Sequence, residues 1–196
     1  MPALSRLTLI CHAATAATRA GRFAADEPLL TGVRPQAQIR RLAARLSVPH
    51  CVVHAPLRAA RETAQALGFG IGVEAPALRG ADAGQWRGLA IETLAQQAPE
   101  ALARWLTQPE AAPPGGESLL DLLARLGAWL DAWERPGLTL AVVPPDVMRG
   151  LLVNALTAPP TSFWRLDVTP LSFSDLRRGP QGWRLRAMAQ EVPDQA

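Results

Sequence analysis

The sequence predicts an α/β domain built on a parallel sheet, and three observations carry that expectation. Short apolar, β-rich runs at Leu7 to Ile10, Cys51 to Val53 and Leu138 to Val143 have the length of buried strands. Helical patterns separate them, so the chain up to Leu67 alternates strand, helix, strand, helix, as parallel pairing requires. Each run also ends in a sharp change of chemistry, at Cys11-His12, His54-Ala55 and Pro144-Pro145. In parallel α/β sheets the carboxyl ends of the strands are where ligands bind.

The first strand has a competing reading. Met1 to Gly21, with Arg6 ahead of an apolar stretch from Leu7 to Ala17, mimics a secretory signal, but the stretch is short and contains His12. A buried strand fits it better. After Pro35, Ala37, Ile39, Leu42, Ala43 and Leu46 share one helical face, with Arg40, Arg41 and Arg45 mostly opposite. Leu57 to Leu67 forms the next helix. Gly80, Gly84 and Gly88 surround Trp86, and a helix-like stretch runs from Leu89 with Trp105 near its end. Pro109 to Gly116 reads as a loop, Glu117 to Trp133 as an amphipathic helix, and Val147 to Leu156 as another. Phe163 to Met188 alternates like a hairpin with its turn at Arg178-Gly179-Pro180. With no repeat and no linker-like break, a single domain over 1–190 is expected, followed by a frayed tail at 191–196.

At 196 residues and 48% hydrophobic composition, the chain can bury a core and is not disordered. No apolar run reaches the length of a membrane span. Cys11 and Cys51 lack zinc-type spacing, so a reducing cytoplasm is the expected setting. The net charge is +3 although the pI is about 10.0, because all 20 basic residues are Arg and none is Lys. Arg stays protonated where Lys would titrate, which lifts the pI without adding charge. These arginines are scattered, so no nucleic-acid face is expected. The Ala, Arg, Pro and Gly excess is that of a GC-rich bacterial genome.

Several segments, in order, fit the motifs of one known family. Leu9-Ile10-Cys11-His12-Ala13-Ala14-Thr15, with Gly21-Arg22-Phe23 and Asp26-Glu27-Pro28-Leu29 after it, is similar to an opening strand ending in Arg-His-Gly-x-Thr. Ala55-Pro56-Leu57-Arg58-Ala59-Ala60-Arg61-Glu62-Thr63-Ala64 resembles Ser-Pro-Leu-x-Arg-Ala-x-x-Thr-Ala. Leu78-Arg79-Gly80 with Asp82, Gly84, Trp86 and Gly88 looks like Leu-x-Glu-x-x-x-Gly-x-Trp-Glu-Gly. Pro113 to Ser118, Phe163 to Leu166 and Gly182 to Arg184 also match. Together these segments resemble the histidine phosphatase superfamily, which includes phosphoglycerate mutases and α-ribazole phosphatases, and the resemblance implies a three-layer α/β/α sandwich with a mixed, mainly parallel sheet.

It also implies phosphoryl transfer through a histidine, without a cofactor or metal. That chemistry asks for a nucleophilic imidazole, two arginines and a second histidine on the phosphate, and an acid for the leaving oxygen. His12 holds the nucleophile position. The preceding arginine is Cys11, the clamp arginine falls on Ala59, the acid on Gly80, and the second histidine on Pro145. Arg58 and Arg61 flank position 59 but, at about 100° per residue, point elsewhere. Four of five roles are lost, so a pseudo-enzyme is expected. Its pocket would be lined by Cys11, Thr15, His54, Arg58, Glu117, Ser118 and Asp146 around a vestigial His12, and would take a small anionic or phosphorylated ligand. A protein partner or homodimer fits such a role as well. The alternative is an active phosphomonoesterase in which Arg58, Arg61 or Arg149 replaces the clamp.

Blander readings stand beside these. His12 also reads as a structural histidine under the sheet edge. Cys11, His12, His54 and Asp146 would suit Zn²⁺ chemically but lack ligand spacing. Cys11 and His12 as a thiol–base pair would need neighbours on a strand to face the same way. The six tryptophans read as core or groove, and Glu117-Ser118 as a helix start with Glu in its first turn.

Overall fold

The computed structural model describes residues 5–23 and 26–191. Its order is β1 (Ser5–Cys11), α1 (Ala16–Arg19), α2 (Val33–Arg45), β2 (Cys51–His54), α3 (Arg58–Ala66) and β3 (Val73–Glu74). Then follow α4 (Ile91–Gln97), α5 (Pro99–Thr107), α6 (Leu119–Asp131), β4 (Gly137–Val143), α7 (Pro145–Ala155), β5 (Phe173–Gly179) and β6 (Gly182–Gln190). The strands form one mixed sheet in the order β3-β2-β4-β1-β5-β6. The first four are mutually parallel, and β5 and β6 add antiparallel at one edge.

The chain path dictates which face each helix covers. From β1 through α2 to β2, and through α3 to β3, the chain advances toward one edge; through α6 back to β4 and through α7 toward β5 it returns. Right-handed crossovers in opposite directions place their helices on opposite faces. That puts α2 with α3 in one layer and α6 with α7 in the other, as the contacts within each pair require. The sheet between them is dry: Leu7, Leu9, Ile10, Leu140, Ala141, Val142 and Val143 are at most 1% exposed.

Several elements differ from the sequence expectation. The stretch after Leu89 is two helices, because Pro99 forbids a helical Ala98, whose ψ is 56°. The α6 helix begins at Leu119 with Ser118 as its cap, and its first-turn acid is Asp121, so Glu117 precedes it. The hairpin is shorter than expected. Phe163 lies in a 3-10 turn, Pro160–Arg165, and the strands turn between Gly179 and Gly182. The edge strand β3 has no counterpart in the sequence reading. Of the expected tail, 192–196 lie outside the described residues, while Glu191 accepts a hydrogen bond from Thr169 (2.8 Å).

Candidate active site at the carboxyl ends of the strands

Because β1, β2 and β4 are parallel, Cys11-His12, His54-Ala55 and Val143-Pro144 emerge at the same edge of the sheet. A cavity of about 240 Å³ opens there. His12, Thr15, Glu117, Ser118 and Asp146 line it; Cys11, His54 and Arg58, expected beside them, do not. Cys11 is still within β1 and wholly buried, and burial drives its thiol far above the ordinary range, which leaves it inert. The His54 ring packs against Gly72, where a Cβ would come within 3.0 Å of Cδ2. Arg58 opens α3 on its outer side and pairs with Glu62 at 2.7 Å. Among the described residues no group of three or more His, Cys, Asp or Glu could hold a metal ion.

His12 is 3% exposed and fixed from several directions. Its backbone N–H donates to Val143 O (3.0 Å), and its Nδ1 lies 2.8 Å from Ala13 O. A carbonyl only accepts, so Nδ1 carries the proton and the neutral ring keeps its lone pair on Nε2. Burial lowers the imidazole pKa, against the opposing pull of the Ala13 carbonyl and Asp146. The next residue is held by Thr63, whose Oγ1 accepts from Ala13 N (3.0 Å) while donating to Ala59 O (2.7 Å). Thr63→Val would leave the Ala13 N–H buried without an acceptor, a cost of about 1–3 kcal/mol. Thermal unfolding should therefore begin roughly 2–12 °C lower. Thr63→Ser, which keeps the hydroxyl, should recover most of that loss; equal losses in both variants would refute the assignment.

Ala59, at the position the resemblance gives to a clamp arginine, is 1% exposed and presents only a methyl to the cavity. Gly80, at the acid's position, faces a carboxyl from another element. A Cβ there would lie 3.3 Å from Asp146 Oδ2 and 3.6 Å from Pro144 Cγ. Asp146 sits in the first turn of α7, begun by Pro145, whose fixed φ suits that place and which has no N–H to offer. The Asp146 carboxyl accepts from Ala81 N at 2.6 Å and from the backbone N–H groups of Val147 and its own residue. These N–H groups thus already hold a carboxyl belonging to the chain. Burial nevertheless raises the Asp146 pKa, outweighing these hydrogen bonds and His12.

The sign of that shift makes a prediction. A carboxyl whose folded pKa is raised contributes stability that is complete below its unfolded value, near 3.8, and is lost as pH rises through the folded value. His12, shifted down, behaves oppositely: its contribution is complete above 6.5 and is lost as pH falls through its folded value. Asp146→Asn keeps an acceptor for Ala81 N and removes one titration. The urea midpoint of wild type relative to Asp146→Asn should therefore decline as pH climbs from about 3.8 toward neutrality. A difference independent of pH would refute it.

Two further features complete the cavity. Glu117 is a hub: Arg125 grips both its oxygens (3.0 and 2.7 Å) and also holds Ala77 O and Arg79 O, tying the loop before Gly80 to α6. Opposite lies an aromatic wall in which Phe23, Trp105, Trp164 and Phe163 touch in series, with Trp105 and Trp164 4.5 Å apart. Arg149, one turn beyond Asp146, lines the same cavity, and no hydrogen bond or ion pair ties its guanidinium to a described residue. The sequence names Arg149 only alongside Arg58 and Arg61. Helix position separates them, since α7 starts at the strand end whereas Arg58 and Arg61 are exposed.

Comparison with known proteins places this geometry. A bifunctional protein of Mycobacterium tuberculosis is 38% identical over 79 residues, which is 38% of this chain and only 21% of that protein. The chain thus spans about a fifth of the first curated relatives it matches. Phosphoserine phosphatase 1 of Hydrogenobacter thermophilus is 26% identical over 86% of this chain and 84% of its own. Among solved structures, a mycobacterial glucosyl-3-phosphoglycerate phosphatase complexed with VO3 superposes with a TM-score of 0.79 at 28% identity, covering 94% of this chain and 98% of that one. Residues 7–191 match the family model of the histidine phosphatase superfamily (branch 1), from β1 through β6, and the chain belongs to that superfamily.

Proposed function

We propose that this chain has given up phosphohistidine chemistry and uses the His12 cavity to bind a small ligand. One observation carries the reading: in the cavity that holds His12, the N–H groups of Ala81 and of the first turn of α7 are taken by the Asp146 carboxyl, while the clamp position offers only the Ala59 methyl. A phosphate dianion on His12 would find no matched arginine. It would also share the cavity with the Asp146 carboxyl, whose ionised form repels it. The relatives support an anion in this cavity, since one is a phosphatase complexed with VO3. A bacterial cytoplasm is the proposed setting, supported by the composition and two free cysteines. Among the described residues, no helix is long and apolar enough to cross a membrane.

One observation favours a second reading. Arg149, with no ion pair among the described residues and in the same cavity as His12, could act as a substitute clamp in a working phosphomonoesterase. Arg58 and Arg61 have no part in it, because neither lines the cavity. Turnover of p-nitrophenyl phosphate by wild type beside His12→Ala decides between the readings: rapid turnover abolished by the substitution establishes the phosphatase.

A further inference from the structure

Five formally charged side chains line the cavity, and their partners leave one remainder. Arg22 pairs with Glu27, Asp82 with Arg87, and Glu117 with Arg125 and Arg79. Asp146 is held by backbone N–H groups. Arg149 is the one whose charge meets no hydrogen-bonding or ion-pairing partner among the described residues; its guanidinium lies over the Phe163 ring, 5.9 Å from the centroid. A guanidinium that lines a cavity without an ion-pairing partner among the described residues is a place for a missing anion.

The rest of the cavity describes the body of that ligand. Phe23, Trp105, Trp164, Leu119 and Leu122 make most of its surface apolar, and about 240 Å³ is less than the roughly 300–1,000 Å³ that drug-sized molecules need. His12, protonated on Nδ1, brings no charge. One unpaired guanidinium calls for one negative charge; a second would stand beside Asp146 uncompensated. A planar carboxylate also matches the guanidinium fork with two parallel hydrogen bonds.

We infer that the cavity binds a small, single-ring or branched apolar monocarboxylate, with its carboxylate on Arg149 and its body against Trp105 and Trp164. This rests on the reading of the cavity as a binding site that has given up phosphatase chemistry. Tryptophan fluorescence and calorimetry on the full chain test it, with phenylacetate, phenylacetamide and phenyl phosphate as probes up to millimolar concentration. Phenylacetate should bind about tenfold or more tightly than the isosteric amide. Arg149→Met should erase that preference while the circular dichroism spectrum stays native. Phenyl phosphate should bind more weakly than phenylacetate and remain intact. Amide binding as tight as the acid overturns the inference, and it does so with wild type alone should Arg149→Met fail to fold. A preference that survives Arg149→Met overturns it too, as does the absence of phenylacetate binding while phenyl phosphate stays intact. Hydrolysis of phenyl phosphate that His12→Ala abolishes instead overturns the underlying reading of the site.

Discussion

Purified protein is expected to hydrolyse p-nitrophenyl phosphate about 10⁴-fold or more slowly than a clamp-bearing member of the superfamily assayed beside it. His12→Ala should leave the residual rate within about threefold of wild type. The size of the effect follows from the groups that are missing. A hydrogen bond to a charged group is worth about 1.5–3 kcal/mol, and Cys11, Ala59 and Pro145 stand where the resemblance implies two arginines and a histidine. Together they remove roughly 5–9 kcal/mol of phosphate stabilisation, about four to six powers of ten at 1.36 kcal/mol per decade, although such losses do not simply add. The retained parts do not offset this. The Nδ1 contact leaves the His12 Nε2 lone pair in the tautomer a nucleophile needs, but such a lone pair would attack only a phosphate that something else holds in place. Arg149 supplies one cation where the chemistry asks for several. A rate within tenfold of the reference, abolished by His12→Ala and reduced by Arg149→Met, would show that a single relocated arginine suffices.

The sequence makes the strands of this fold legible for a simple reason: β1, β2 and β4 are buried or nearly so on both faces, so each reads as an apolar run whatever its neighbours do. Strand β3 leaves no such trace. Val73 and Glu74 are both exposed, and what makes them a strand is pairing with Val53 and His54, which only the fold provides. The site divides along the same line. His12, Ala59 and Gly80 are found by counting along motifs, because their places depend on local spacing. Asp146 is different: it reaches Ala81 N across 65 positions, and nothing near either residue announces the contact. Likewise Arg58 and Arg149 look equally suited to an anion in sequence. They part because Arg58 is consumed by Glu62 one turn along its own helix, while the residue one turn before Arg149 has turned its carboxyl to the backbone. The aromatic wall was out of reach for the same reason, since its rings come from three separate segments.

Gly84→Ala is expected to destabilise the fold by about 2–5 kcal/mol, the largest stability loss from adding a single methyl at the cavity rim. Two costs combine at this position. The backbone has φ = +50°, which costs a residue with a Cβ about 1–2 kcal/mol, and the added carbon would collide with Pro114 O and lie 2.6 Å from Gly116 N. Those neighbours are backbone and cannot rotate away; such overpacking adds about 1–3 kcal/mol. The approach is close because two turns are bonded face to face, by Gln85 N to Pro114 O (3.0 Å) and Glu117 N to Asp82 O (2.8 Å). Gly115→Ala and Gly116→Ala separate the costs. Gly115 has φ = +70° with nothing within 4 Å of the added carbon, so it should show the backbone cost alone; Gly116 lacks the positive φ but would meet Asp82 O. Urea unfolding should rank Gly84→Ala as the most destabilised of the three. Equal midpoints for Gly84→Ala and Gly115→Ala would refute the collision. The same two turns carry Asp82, Ala83, Pro113 and Glu117 into the cavity wall, so a chain that survives Gly84→Ala by parting them should also lose ligand affinity, even though Arg149 and His12 are untouched.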